Sequence, residues 1–301
     1  MEQSGEIPRD DATQAERRHD GLTPDLWRML LEILALSGYG MWLLLGLALA
    51  LGVYSSGRGE ALVPLFLGAL FVSLGLILAS LRLSWASDWH GWQLGRDSRP
   101  TREALLALLA YLPMLAVAAL ARGDNSFWAT RLAGAALALA ALATLVDTAR
   151  GLGRRRADLT AELAVLPVSR VVSACYAGGL WLWVCVAAQS DQANMGNAPY
   201  WVFSLLALAL LLGAVESMRW RVLQPRNEHL RRQQSLPPAR FLAAVLVYAL
   251  PCVALLATGL EWAPLWLAVV AAVACGVGKT LEQRLYVRAL AERVGPSTLT
   301  D

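Results

Sequence analysis

Six ionisable side chains stand where long apolar stretches of this chain meet polar segments: Glu32, Arg82, Glu103, Asp147, Glu216 and Glu282. Carboxylates can take up protons and guanidiniums can orient an acceptor, so a shallow site at one face of a membrane is the chemistry they permit. The bland alternative is that each marks the lipid edge. Segment 82–103 is the richest: Trp85, Trp89 and Trp92 recur at spacings of four and three residues, which puts three indoles on one face of a short interfacial helix. His90 lies beside them, and a basic turn with Arg96 and Arg99 leads into Thr101-Arg102-Glu103. Thr101 suits a helix N-cap, and Glu103 suits the positive first turn. Capping accounts for Thr101. It does not account for His90 flanked by Trp89 and Trp92.

The elements that must position these residues are apolar runs. Hydrophobic residues make up 57% of the 301 and charged ones 16%, against roughly 45–50% and 25% in soluble domains. About 20 apolar residues of helix cross a hydrocarbon core. Eight runs qualify: 33–53, 61–81, 104–121, 127–146, 171–188, 200–215, 239–259 and 262–278. Alternation at period two is absent, which excludes a barrel. The expected fold is all-α: a polytopic integral membrane protein with an eight-helix transmembrane bundle. A polar N-terminal tail (1–28) would precede a membrane domain (29–283) and a polar C-terminal tail (284–301). No short apolar segment with a small-residue cleavage site opens the chain, so the first span is the expected insertion signal.

Arginine sets the expected orientation. Of the 26 Lys and Arg residues, 23 fall in the two tails and in the segments after even-numbered spans, and only Arg58, Arg122 and Arg131 fall on the other side. Basic residues are retained on the cytoplasmic side. The bias therefore predicts both termini in the cytoplasm; the expected location is a bacterial cytoplasmic (inner) membrane. Trp128, Trp201 and Trp262 open spans at the outer face, with Trp27 and Trp220 at the inner one, where indoles prefer to sit.

The same residues narrow the chemistry. Cys175, Cys185, Cys252 and Cys275 all lie inside spans, none in a C-x-x-C pair, so no iron–sulfur cluster is expected in this chain. His19, His90 and His229 all lie outside the spans, so no haem is expected either. Gly-x-Gly at 38–40, 57–59, 151–153 and 276–278 continues into no nucleotide-binding motif, and suits close helix contact instead. No nucleic-acid partner is implied. The absence of charge near the midplane argues against an ion relay across the membrane.

The stretch Ser98-Arg99-Pro100-Thr101-Arg102-Glu103-Ala104 resembles the signature that closes the loop between spans two and three in membrane-anchor subunits of dimethyl sulfoxide reductase-type molybdopterin oxidoreductases, including the polysulfide reductase-like relatives. That signature runs small residue, Trp, any residue, Ser or Thr, Arg, Glu, Ala. Arg99 stands where the family has tryptophan, and upstream Arg82-Leu83-Ser84-Trp85-Ala86 keeps only the leucine of a His-Leu-Gly-Arg-Pro element. Leu285-Tyr286-Val287-Arg288-Ala289 is similar to a tail in phenylacetyl-CoA:acceptor oxidoreductase anchors.

The resemblance implies a subunit that binds menaquinone or ubiquinone, carries no haem or cluster of its own, and exchanges electrons with a four-cluster ferredoxin-like iron–sulfur subunit and, through it, a molybdopterin catalytic subunit. On that reading Glu103 and His90 accept the quinol protons, Arg82 and Arg102 orient a quinone carbonyl, and Trp89 or Trp92 packs on the ring. Arg96, Arg99, Arg154, Arg155 and Arg156 are then candidates for docking the partner. Two other readings stay open. Pro113 and Pro251 inside spans three and seven would kink them, as in a small-molecule transporter. The arginine runs also suit a scaffold, or contact with anionic lipid heads.

Overall fold

The computed structural model describes residues 26–54, 59–80, 102–121, 127–155, 166–189, 198–223, 238–259 and 265–294. Among them no residue is in a strand. In chain order the helices are α1 (Leu26–Leu51), α2 (Leu62–Ser80), α3 (Arg102–Leu109), α4 (Tyr111–Leu120), α5 (Trp128–Arg155), α6 (Leu166–Gln189), α7 (Ala198–Leu223), α8 (Pro238–Ala244), α9 (Leu250–Gly259) and α10 (Trp266–Val294), with a π-helical turn at Val245–Ala249 between α8 and α9.

Two prolines explain the interruptions. Proline lacks an N–H, and its ring crowds the carbonyl four residues earlier. Pro113 breaks the third stretch at Ala110, between α3 and α4. Pro251 is accommodated instead by the π turn, closed by a bond from the Leu250 N–H to the Val245 carbonyl. Val247, four residues before Pro251, has its carbonyl taken by the Tyr176 hydroxyl at 3.1 Å. The expected kinks are therefore a break and a widened turn.

Among the described residues five helical stretches are long and apolar enough to cross a membrane: 29–51, 128–150, 167–189, 199–221 and 239–258. The other three stretches expected to span fall short of that standard for identifiable reasons. Within the described residues the apolar stretches Leu62–Ile77 and Leu105–Leu120 are shorter than the other five. In α10, Lys279 and Glu282 interrupt the apolar run halfway, and the helix continues unbroken to Val294, past the expected start of the C-terminal tail at 284.

The surface is inverted relative to a protein folded for water. Phe66 is 73% exposed, Leu210 78% and Phe241 73%, whereas Ser37, Thr144, Thr148, Ser169, Glu216 and Lys279 are buried. Exposed apolar area on this scale is stable only against lipid or another apolar surface. Trp128, Tyr200 and Trp266, at or near the starts of α5, α7 and α10, are exposed in the manner of an interfacial aromatic belt. These are the features of a multi-pass membrane protein.

α1 is the hub, with 72% of its apolar stretch buried against 28% for residues 239–258. Small residues let its neighbours approach closely. A methyl group on Gly40 would overlap the Ala174 carbonyl of α6, and one on Gly178 would strike the α1 backbone at Met41. Gly46 and Gly134 make the corresponding contact between α1 and α5. Trp42, fully buried, donates to the Leu65 carbonyl of α2 at 3.1 Å and meets Tyr39 and Tyr111 edge-on. Two apolar cores result. One is centred on α1, α2, α4 and α5, the other on α6, α7, α9 and α10.

Candidate functional site: an ion-pair cluster at one end of the bundle

α1 and α6 begin, and α7 ends, at one end of the bundle, and α10 passes through it. Glu32 in the second turn of α1 accepts from Arg170 of α6 at 2.6 Å, with both side chains 12% exposed. Gln283 of α10 donates to the other Glu32 oxygen at 3.4 Å. Glu216, near the end of α7, accepts from the Lys279 ammonium at 2.9 Å and from the Ser169 hydroxyl at 3.1 Å. Lys279 also donates to Glu282 at 2.8 Å, and Arg219 approaches the second Glu216 oxygen at 3.7 Å. Ser169, Arg170, Glu216, Arg219, Lys279, Glu282 and Gln283 line a cavity of about 80 Å³ between the four helices, with Ile33 and Leu36 of α1.

Among the described residues the ion pairs balance one another. Removing an ion from water costs several kcal/mol, and only pairing with good geometry offsets it. Here three carboxylates (Glu32, Glu216, Glu282) meet three cations (Arg170, Arg219, Lys279), so the paired set is electroneutral. One Glu216 oxygen, Oε2, and the Tyr248 hydroxyl of the π turn are buried with no hydrogen-bond partner among the described residues. A buried unsatisfied oxygen costs about 1–3 kcal/mol, so these two atoms mark where a polar group would be welcome. The cavity is far smaller than the roughly 300–1,000 Å³ that encloses a whole small molecule. It has room for a few waters, or for the edge of a head group.

Of the six residues singled out in the sequence, Glu32, Glu216 and Glu282 converge here, and Asp147 of α5 does not line the cavity. Arg82, Trp89, His90, Trp92, Arg96, Arg99, Thr101 and Arg156 lie outside the described residues, and only the backbone is described at Arg102, Glu103, Arg154 and Arg155. α3 does begin at Arg102, the residue after the expected cap. Its start shares an end of the bundle with Glu32. The far end of α4 is tied to the start of α2 by the Gly59 N–H to Ala121 carbonyl bond, and that start follows α1. The Tyr39 hydroxyl, meanwhile, reaches the Ala107 carbonyl of α3 at 3.4 Å.

Sequence reasoning missed Arg170, Lys279, Arg219, Ser169 and Gln283 as members of this site. Arg170, Arg219 and Lys279 counted there only as markers of the inner side. The available signal was local: Lys279 with Glu282, and Glu216 with Arg219, are opposite charges three residues apart on a helix. The opposite end has its own polar contacts. The Tyr54 hydroxyl donates to Gln189 at 3.0 Å, the Gln189 amide donates to the Glu60 carbonyl at 2.9 Å, and Arg131 lies against Gly52.

No family model, no curated protein and no solved structure matches this chain.

Proposed function

We propose that the chain is an eight-span protein of the bacterial cytoplasmic membrane with both termini inside, and that it is the quinone-reactive anchor subunit of a dimethyl sulfoxide reductase-type molybdopterin oxidoreductase. The observation that supports the reading is that the helix opened by Arg102-Glu103 starts at the same end of the bundle as a donor-rich cluster of balanced ion pairs. A cluster whose ion pairs already balance suits a neutral head group with carbonyl or hydroxyl oxygens, and a membrane quinone is such a group. Quinol oxidation releases two protons and two electrons. The protons need bases within hydrogen-bond reach, for which Glu103 and His90 are the candidates. The electrons pass to an iron–sulfur partner docked on the arginine-rich face.

The test is a tagged chain extracted gently from its native membrane, with co-purifying subunits and metals assayed. Stoichiometric iron–sulfur and molybdenum subunits are expected. In that complex Glu103→Lys should lower quinol-linked turnover by roughly 10²-fold or more, the usual scale for a lost acid–base group, with assembly intact. Unchanged turnover with a quinol analogue removes Glu103 from the site.

One observation favours a second reading, a small-molecule transporter. The third and seventh helical stretches are both interrupted, at Ala110 and at Val245–Ala249, and paired interruptions of this kind mark many transport sites. However, the π turn's Val247 carbonyl is already taken by Tyr176. Uptake of a labelled solute by vesicles holding the chain alone would favour transport.

A further inference from the structure

Beyond the ion-pair cluster, α7 ends in a column of alternating cations and rings. The Arg240 guanidinium lies over the Trp220 ring at 4.2 Å, and the Arg219 guanidinium lies over Tyr286 at 3.8 Å. Between them Trp220 and Tyr286 meet edge-on with centroids 5.5 Å apart. We propose that this column, built by α7, α8 and α10, is a binding site for the phosphate head group of an anionic membrane lipid.

Three features point to that ligand. First, a guanidinium stacked on a ring is held by its face, which leaves its in-plane N–H edge free to grip a phosphate in two-pronged fashion. Among the described residues no carboxylate pairs with Arg240, and the Arg219 Nε and the Tyr286 hydroxyl are buried without hydrogen-bond partners. The platform thus holds one guanidinium, Arg240, with no carboxylate partner, beside a second, Arg219, whose ion pair with Glu216 at 3.7 Å leaves its Nε unused. Second, the apolar neighbours face outward: Met218 is 56% exposed, Phe241 73% and Leu242 52%. They directly precede Arg219 and directly follow Arg240, so the guanidiniums border the apolar surface that acyl chains would cover. The ligand is therefore an amphiphile with an anionic head. Third, basic pockets between membrane helices are suited to anionic head groups, whereas a single exposed arginine attracts them only diffusely. The stacking fixes both guanidiniums in place and limits what each must lose in freedom on binding.

The proposal shares Arg219 with the ion-pair cluster but uses none of the residues proposed to orient or deprotonate the quinol, so the two readings can fail separately. The experiment is native mass spectrometry of the full chain in mild detergent, titrated with phosphatidylglycerol, phosphatidylcholine or inorganic phosphate. One phosphatidylglycerol per chain should be retained, with at least 10-fold preference over phosphatidylcholine. Arg240→Gln should weaken that retention about 10-fold, and Arg240→Lys should recover only part of it. The preference of the wild-type protein is itself decisive, so a poorly folding variant does not void the test. Equal retention of both lipids overturns the proposal, as does undiminished binding by a folded Arg240→Gln variant. Inorganic phosphate competing as well as the lipid would overturn a lipid source. Displacement by an acidic peptide, with no lipid retained, would overturn it in favour of a protein partner.

Discussion

Replacing Lys279 by Met keeps the apolar stem and removes only the ammonium. In the folded protein that ammonium sits 2.9 Å from Glu216 and 2.8 Å from Glu282, and the three side chains are 9%, 5% and 15% exposed. Without it two buried carboxylates face one another, with only the Ser169 hydroxyl and Arg219 at 3.7 Å still near Glu216. Breaking a buried pair by deleting one partner costs about 3–5 kcal/mol. Glu282 is the most exposed of the three and can turn away, so the lower end, about 3 kcal/mol, is expected. The companion Glu216→Gln should also destabilise. The double variant should be no worse than the poorer single one, giving a coupling of about 2 kcal/mol or more. The assay is reversible unfolding of the purified protein in mixed micelles, followed by tryptophan fluorescence. A Lys279→Met protein within about 1 kcal/mol of wild type, or a double variant equal to the sum of the singles, would refute the reasoning.

Gly40→Ala should cost about 1–3 kcal/mol, because the added methyl overlaps the Ala174 backbone, which cannot turn aside. Gly276→Ala, with open space at its Cβ, should stabilise by up to about 1 kcal/mol in the same unfolding assay. Trp42→Phe removes the donor to the Leu65 carbonyl and should cost about 1–2 kcal/mol; an unchanged midpoint would deny that bond any weight. A cytoplasm-active reporter fused after Asp301 should be active and one inserted in 54–60 silent, whereas activity at both positions would sink the assigned orientation.

The helices were legible in the sequence because their signal is one-dimensional. Every apolar run identified there is helical over most of its described residues, and Pro113 and Pro251 fall where the regular α-helix is interrupted. The number of helices apolar enough to cross a membrane was less legible. Composition does not say whether the charged second half of α10 is a tail or a continuing helix whose polar side chains are buried against neighbours. The site was half legible: Glu32, Glu216 and Glu282 stood out by position, but their partners did not. Arg170 is 138 residues from Glu32, and Lys279 is 63 residues from Glu216. Such pairings follow from how helices assemble, and each sequence segment alone explains its cation as a topology signal. Gln283 and Ser169 carry no charge and gave no signal at all.

The placement of Lys279 and Glu282 on one helix bears on how the chain is made. An isolated ammonium entering a bilayer costs about 2.5–3.5 kcal/mol at its centre, and α10 is the final helix described. Because Glu282 is three residues from Lys279 and bonded to it, α10 can enter the membrane carrying its own counter-ion. It would exchange part of that contact for Glu216 only when it docks against α7. The same neutrality means that a membrane voltage does no net work on the assembled cluster, since the energy of a charge in that field scales with its net value. The Lys279–Glu282 pair therefore adds no net charge for a membrane voltage to act on as α10 docks.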